Sequence, residues 1–294
     1  MRIMFRGVFT ALVTPFDENG NVDEARLREL VDFQIENGID GLVPTGTTGE
    51  SPTLSHDEHN RVVSVVIDQA NGRVPIIAGT GSNSTSEAIS MTRMAADAGA
   101  DATLQVAPYY NKPTQRGLVQ HFKTVANEGG IPVIVYNIIG RSAVNIETST
   151  LLEMVDSDMI VGVKEASGNF NQMIDVVRST PKNFSVLSGD DNLAMPLAMM
   201  GGDGVISVLS NFMPKEVGSM IHAALDGDAI KARELHFQYM DLMKAMFIET
   251  NPVPVKAAMA MRGLILDRYR LPLVPMTPQH TEQLQRVMSA YQLL

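Results

Sequence analysis

Eight short apolar runs recur along most of the chain, and a longer amphipathic stretch follows each of them. Runs of this length are typical of buried strands, and the stretches between them carry helix-capping signals such as Ser55-His56-Asp57-Glu58. The predicted strands lie at 8–13, 41–44, 74–78, 102–106, 132–136, 160–164, 184–188 and 204–208. Eight consecutive βα units predict an α/β fold of the parallel (β/α)8 TIM-barrel type, with an open doubly wound sheet as the alternative.

A helical region is predicted after the eighth unit. Its helices are expected at 228–247, 254–262 and 277–290, separated by proline-rich turns. We therefore expect a catalytic barrel domain at 1–225. Residues 226–294 should form a C-terminal helical extension packed on the barrel or on a partner subunit.

Charge and composition exclude several classes of function. The 294 residues carry a net charge of -10 and no long basic cluster, so nucleic acid and anionic membranes are not expected as partners. The chain has no cysteine, which excludes disulfides, thiolate metal sites and cysteine nucleophiles. The amino-terminal residues 1–6 are too few and too charged for a signal peptide, and no apolar run could span a membrane. We expect a cytoplasmic protein.

Lys164 closes the sixth predicted strand, and this position points to chemistry. Burial at a strand end favours the neutral amine, which attacks carbonyl groups and forms Schiff bases. A lysine that simply leaves the strand for solvent is the alternative. Tyr136 ends the fifth strand, and Thr47 and Thr48 follow the second. Because the carboxyl ends of barrel strands meet at one face, we expect these side chains to lie together.

Other loops carry residues with two possible interpretations. Arg141 could clamp a carboxylate or form a surface salt bridge. The adjacent Tyr109 and Tyr110 could serve two sites, or one could pack while the other contacts a subunit. His56 and His59 would share a helix face, but their spacing is not that of the zinc-protease motif, and surface histidines are favoured. No metal site is predicted.

Several segments together identify a family. These are Gly41-Leu42-Val43-Pro44-Thr45-Gly46-Thr47-Thr48-Gly49-Glu50-Ser51, Tyr109-Tyr110-Asn111, Tyr136-Asn137, Gly162-Val163-Lys164-Glu165 and Asn251-Pro252-Val253-Pro254-Val255-Lys256. In register over nearly the whole chain, they closely resemble the dihydrodipicolinate synthase family. That family belongs to a class I aldolase superfamily that includes N-acetylneuraminate lyase.

The resemblance implies an enzyme that condenses pyruvate with L-aspartate 4-semialdehyde in lysine (diaminopimelate) biosynthesis. It implies a homotetramer and no cofactor beyond the covalent pyruvate on the catalytic lysine. The implied roles are a Schiff base on Lys164, proton exchange by Tyr136, a relay through Thr47 to Tyr110 of a neighbouring subunit, pyruvate carboxylate binding by Thr47 and Thr48, aldehyde carboxylate binding by Arg141, and a pyruvate pocket lined by Gly189 and Ile206.

The resemblance also implies a site for L-lysine as an allosteric inhibitor. The matching positions are Ser51, His56, His59, Asn83, Glu87 and Tyr109. This match shifts the interpretation of the two histidines from structural to regulatory. All six side chains can hydrogen-bond a zwitterion, and Glu87 can pair with an ammonium group.

The sequence departs from the family pattern in the loop that carries Arg141. Ile139 stands where proline is usual, and Ala143 stands where glycine or valine is common. The departure affects the expected aldehyde-binding geometry. A related aldolase acting on a sugar acid or 4-hydroxy-2-oxoglutarate is one alternative function. A non-catalytic barrel that binds a small acid is the other, against which Lys164 and Tyr136 both argue.

Overall fold

The computed structural model describes residues 4–294, so the first three residues of the predicted barrel domain and of the amino-terminal segment lie outside it. Within that range eight strands alternate with helices. The strands are β1 (Gly7–Ala11), β2 (Gly41–Val43), β3 (Ile77–Gly79), β4 (Ala102–Val106), β5 (Val133–Asn137), β6 (Ile160–Glu165), β7 (Ser185–Ser188) and β8 (Gly204–Ser207). The helices are α1 (Glu24–Glu36), α2 (His56–Ala70), α3 (Thr85–Ala98), α4 (Gln115–Gly129), α5 (Ile139–Ser142), α6 (Thr148–Leu152), α7 (Phe170–Ser179), α8 (Asp191–Met199), α9 (Pro214–Leu225), α10 (Ala229–Ala245), α11 (Val253–Met261) and α12 (Pro278–Ala290).

All of these strands are parallel and close on themselves. Their hydrogen-bonded order is β2-β1-β8-β7-β6-β5-β4-β3. A parallel bridge between Leu42 and Ile76 then joins the two outer strands of that order. The predicted TIM barrel is confirmed and the open doubly wound sheet was wrong, since in an open sheet β2 and β3 would be edge strands that do not pair with each other.

Large side chains fill the inside of the barrel. Phe5, Phe9, Leu187 and Ile206 form one buried cluster there together with Tyr136. Because this interior is packed with apolar groups, polar side chains at its carboxyl end project from a rigid floor.

Two predicted elements differ from the observed ones. The third strand was predicted at 74–78 but begins at Ile77, because Pro75 has no backbone N–H for the ladder. The longer amphipathic stretch predicted after the fifth strand forms only two short helices, α5 (Ile139–Ser142) and α6 (Thr148–Leu152), and turns follow α6. The α2 capping box is present: the Ser55 hydroxyl accepts from the Glu58 N–H, and the Glu58 carboxylate accepts from the Ser55 N–H.

The C-terminal helices pack against the barrel of the same chain. Leu242, Val255 and Leu284, one from each of α10, α11 and α12, belong to the same buried apolar cluster as Val8 of β1. The domain boundary near residue 225 stays a prediction. No helix within residues 4–294 is long and apolar enough to cross a membrane.

Candidate active site

Lys164 and Tyr136 lie side by side at the carboxyl end of the barrel. They are register partners on β6 and β5, so their side chains leave the sheet on the same face. The Lys164 Nζ lies 4.3 Å from the centroid of the Tyr136 ring. Only 6% of Lys164 and 5% of Tyr136 is exposed. An amine and a phenol are therefore in contact where little water reaches them.

Burial makes the amine of Lys164 easier to deprotonate. It lowers the pKa of Lys164 from 10.5 to about 8, because a buried ammonium loses its hydration. The carboxylates of Asp190 and Asp191 oppose this effect by favouring the charged form, and the Arg141 guanidinium adds to it. The alternative of a lysine that leaves the strand for solvent is thereby wrong.

The phenol of Tyr136 stays protonated at neutral pH. Burial raises its pKa above the ordinary value, and the nearby Asp190 carboxylate acts in the same direction. The Arg141 guanidinium and a hydrogen bond with the Thr47 hydroxyl lower the pKa. The phenol can therefore donate a proton at one stage and recover it through Thr47 at another.

The loop after β2 holds the two threonines in a tight turn. Thr45 and Glu50, which flank the turn, have positive φ angles of 53° and 54°. Such angles are strained for residues other than glycine, and a β-branched Thr45 is an unusual occupant. A hydrogen bond of 3.0 Å from the Thr45 hydroxyl to the Gly79 carbonyl holds this conformation. Thr48 is 3% exposed and accepts a 3.0 Å hydrogen bond from the Asn251 side-chain amide.

Gly189 and Ile206 form the apolar surroundings of the lysine. A Cβ on Gly189 would lie 3.0 Å from the Lys164 Cε and 2.5 Å from the Ala166 Cβ, so only glycine fits against the lysine stem. Ile206 is fully buried in the apolar cluster that contains Tyr136. One predicted pocket residue therefore lies beside Lys164, and the other lies in the same apolar cluster as Tyr136.

Arg141 lies at the exposed rim. It belongs to the four-residue helix α5, which was not predicted from the sequence. One guanidinium nitrogen donates a 3.0 Å hydrogen bond to the Asn251 carbonyl. Ile139 starts this helix, and Ala143 ends it with a φ of 58°, a conformation that glycine adopts with less strain. The helix therefore forms without the proline, and Arg141 remains over the cavity.

One cavity of about 410 Å3 connects the two predicted sites. Tyr136, Thr47 and Arg141 line it together with Ser51 and Glu87. The residues drawn from the two predictions therefore line one cavity within a single chain.

The predicted lysine-binding residues come together at the outer end of this cavity. The His56 Nε2 lies 3.1 Å from a Glu87 carboxylate oxygen, and the Ser82 hydroxyl donates to the same side chain. His59 is 3% exposed, and burial lowers its pKa, so the ring is neutral. Its Nε2 donates to the Gly79 carbonyl at 2.7 Å, which leaves the buried Nδ1 without a partner among residues 4–294. The Asn83 amide reaches the set indirectly, through a 3.2 Å hydrogen bond to the Tyr109 carbonyl.

Tyr110 is the one predicted catalytic residue that the chain does not bring to the others. Its side chain is 89% exposed, and its φ is 71°. The neighbouring Tyr109 is 39% exposed and lines the cavity. In this conformation the Tyr110 ring therefore lies outside the cavity that Tyr136 and Thr47 line.

Two acidic residues near Lys164 were given no role from the sequence. Asp190 and Asp191 follow β7, and both shift the pKa of Lys164. Burial raises the pKa of Asp190 to about 6. Asp191 is 2% exposed, and its carboxylate accepts from the Val208 and Leu209 N–H groups at 3.0 Å. The one sequence feature that could have pointed to them is their position directly after a predicted strand, where barrel enzymes carry active-site residues.

A buried amine, a contacting phenol and a hydroxyl-bearing turn at the carboxyl end of a parallel barrel are typical of Schiff-base-forming barrel enzymes. Comparison with known proteins identifies the family. Residues 4–291 match the model of the dihydrodipicolinate synthetase family. The chain belongs to this family, and the predicted family and enzymatic function are confirmed.

Full-length relatives support the assignment. The chain is 54% identical over 291 residues to the 4-hydroxy-tetrahydrodipicolinate synthase of Syntrophus aciditrophicus, covering 99% of this chain and 100% of the relative. A chloride-inhibited dihydrodipicolinate synthase from Acinetobacter baumannii, solved with pyruvate, is 42% identical with a TM-score of 0.97 and coverage of 98% and 99%. The DHDPS of Cyanidioschyzon merolae, solved with lysine bound, is 43% identical with a TM-score of 0.96 and coverage of 99% of both chains.

Proposed function

We propose that the chain condenses pyruvate with L-aspartate 4-semialdehyde to give 4-hydroxy-tetrahydrodipicolinate, with Lys164 as the covalent catalyst. The observation that carries this proposal is the contact between the buried Lys164 amine and the Tyr136 ring, 4.3 Å from Nζ to the centroid. Relatives named for this activity over the full length support it.

The chemistry begins with attachment of the keto acid. The neutral Nζ of Lys164 adds to the ketone carbon of pyruvate, water leaves, and an imine forms. Loss of a methyl proton then gives an enamine whose terminal carbon attacks the aldehyde. The amino group of the second substrate finally adds to the imine carbon, closes the ring and displaces Lys164. The imine itself accepts the electrons, so this sequence needs no added cofactor.

Four neighbouring groups would assist these steps. The Tyr136 phenol would protonate the leaving hydroxyl and collect the methyl proton, with the Thr47 hydroxyl as its hydrogen-bonded partner. Thr48, which already accepts a hydrogen bond from Asn251, would donate its own proton to the pyruvate carboxylate. Arg141 at the rim would bind the carboxylate of the aldehyde substrate.

We further propose that Tyr110 acts across a subunit interface. Its exposed ring cannot assist Tyr136 of the same chain in this conformation. In a homo-oligomer, the ring could enter the partner's cavity and extend the relay from Thr47. The expected assembly is a homotetramer built from such dimers.

L-lysine is the proposed inhibitor of the same cavity. Glu87 and His56 would bind its ammonium and carboxylate groups, respectively, and the neutral His59 would accept a hydrogen bond at Nδ1. Because Tyr109 precedes Tyr110 directly, a ligand that orders the first ring would displace the second. The relative solved with lysine bound supports this proposal.

Reductive trapping tests the central claim. The protein is incubated with pyruvate and borohydride, digested, and mapped by mass spectrometry. The pyruvate-derived mass should lie on the peptide that contains Lys164, and Lys164→Ala should remove it and cost about a thousandfold or more in turnover. A coupled assay with aspartate semialdehyde, set beside sugar aldehydes, tests the acceptor. Label on another peptide, or preferred use of a sugar aldehyde, would contradict the proposal.

A further inference from the structure

Glu50 and Lys256 form an ion pair away from the reacting atoms. Glu50 ends the turn that carries Thr47 and Thr48. Lys256 lies in α11, one of the three helices of the C-terminal region. Both side chains are 0% exposed. No other ion pair within residues 4–294 has two fully buried side chains.

Stability alone is a weak explanation for such a pair. Removing two charges from water is costly, and apolar pairs of similar volume are often as stabilising or more so. Burial accordingly lowers the pKa of Lys256, and the Glu50 carboxylate opposes that effect. The ammonium also lies 4.2 Å from the centroid of the Phe16 ring, which favours its charged form.

The pair is connected to the threonine turn on two sides. The Glu50 N–H donates to the Thr47 carbonyl at 3.1 Å, and this bond closes the turn. Lys256 also donates to the Thr14 carbonyl at 3.1 Å, while the Thr14 hydroxyl donates to the Gly49 carbonyl at 2.6 Å. The ammonium therefore fixes both the turn and the segment on which the turn rests.

The same C-terminal segment reaches the site at a second point. Asn251, which lies just before α11, donates to the Thr48 hydroxyl through its side chain at 3.0 Å. Its carbonyl accepts from Arg141 at 3.0 Å. One segment thus contacts the turn at Thr48 and at Glu50.

We propose that Glu50 and Lys256 are positioning residues that hold the turn so that Thr47 meets the Tyr136 phenol and Thr48 faces the pyruvate carboxylate. This inference rests on the proposed function and adds to it a role for helix α11 in keto-acid binding. The pair acts through the threonines and does not touch the substrate. It therefore affects the pyruvate half-reaction and leaves recognition of the aldehyde to Arg141.

Steady-state kinetics of a charge-neutral double variant test the proposal. Glu50→Gln combined with Lys256→Met removes both charges and leaves neither partner as an unpaired ion. We expect the KM for pyruvate to rise at least about tenfold, while the KM for aspartate semialdehyde stays within about twofold. Arg262→Met is the matched control: it removes a cation just after α11 that donates to the Phe212 carbonyl, and both constants should remain unchanged.

Thr14→Val provides a second variant, which leaves both charges of the Glu50–Lys256 pair in place. It removes only the hydroxyl that holds Gly49, so the KM for pyruvate should rise about two- to fivefold. If the double variant folds and loses thermal stability while its pyruvate KM stays within twofold, the pair is merely structural and the inference is overturned. If the double variant fails to fold, an unchanged pyruvate KM in Thr14→Val overturns it. A wild-type protein without label at Lys164 would instead refute the proposed function.

Discussion

The rate of pyruvate attachment should depend on pH in the way that the burial of Lys164 dictates. With a pKa of about 8, the amine is about 10% neutral at pH 7, whereas an amine of pKa 10.5 is about 0.03% neutral, a difference of roughly 300-fold. Since only the neutral amine attacks, the initial rate should rise nearly tenfold from pH 6 to about pH 7 and level off above about pH 8.

The measurement separates attachment from the later steps. Enzyme and excess pyruvate are mixed at each pH and quenched into borohydride after short intervals, and intact mass gives the fraction carrying the reduced adduct. Lys164→Arg serves as the blank because a guanidinium does not form the imine. A rate that continues to rise tenfold per pH unit through about pH 9.5 would indicate an ordinary lysine pKa and refute the reasoning.

Asp190→Asn adds a second, independent check. Its carboxylate favours the charged form of Lys164, so the substitution should move the midpoint of the profile down by about one pH unit. Burial raises the pKa of Asp190 to about 6, so the carboxylate is neutral below that pH and the two profiles should converge there. Asp175→Asn, at an exposed pair with Arg178, is the control. An upward shift for Asp190→Asn would contradict the assigned role.

Four further outcomes are expected. Tyr136→Phe should lower turnover roughly 10²–10⁴-fold in the coupled assay, and an undiminished turnover would exclude the phenol as the proton carrier. Arg141→Ala should raise the KM for aspartate semialdehyde while pyruvate trapping survives; an unchanged KM would remove Arg141 from the site. Glu87→Ala should weaken inhibition by lysine, a coupling of about 1–3 kcal/mol, with uninhibited turnover intact, and no response of the wild type to millimolar lysine would end the regulatory proposal. Mixed oligomers of Tyr110→Phe and Lys164→Ala subunits should regain activity, and inactive hybrids would argue against a shared relay.

Strand ends and loop residues were predictable because both depend on local sequence. The apolar run before Lys164 ends at the carboxyl end of β6, and in a parallel barrel this end lies beside the carboxyl end of β5, where Tyr136 is its register partner. The four-residue helix that carries Arg141 was missed because it is far shorter than the window of roughly 11–18 residues over which helical periodicity is detected. The late start of the third strand depends on Pro75, whose carbonyl still accepts from the Leu42 N–H at 3.1 Å.

The electrostatics of the site could not be predicted from the sequence. Asp190 and Asp191 follow a strand, and acids there are usually solvated, so nothing local indicates that they are buried beside an amine. The pairing of Glu50 with Lys256 joins positions 206 residues apart. Such contacts become visible only when the C-terminal helices are placed on the barrel.

That long separation has a consequence for synthesis of the protein. Lys164, Tyr136 and both threonines leave the ribosome well before Asn251 and Lys256, which reach back 203 and 206 positions to Thr48 and Glu50. A nascent chain that has completed its eighth strand therefore holds the reactive amine before the contacts that shape the turn beside it exist. The protein should therefore become able to bind pyruvate only late in translation. The step that completes the site is the emergence and packing of α11, and closure of the barrel comes before it.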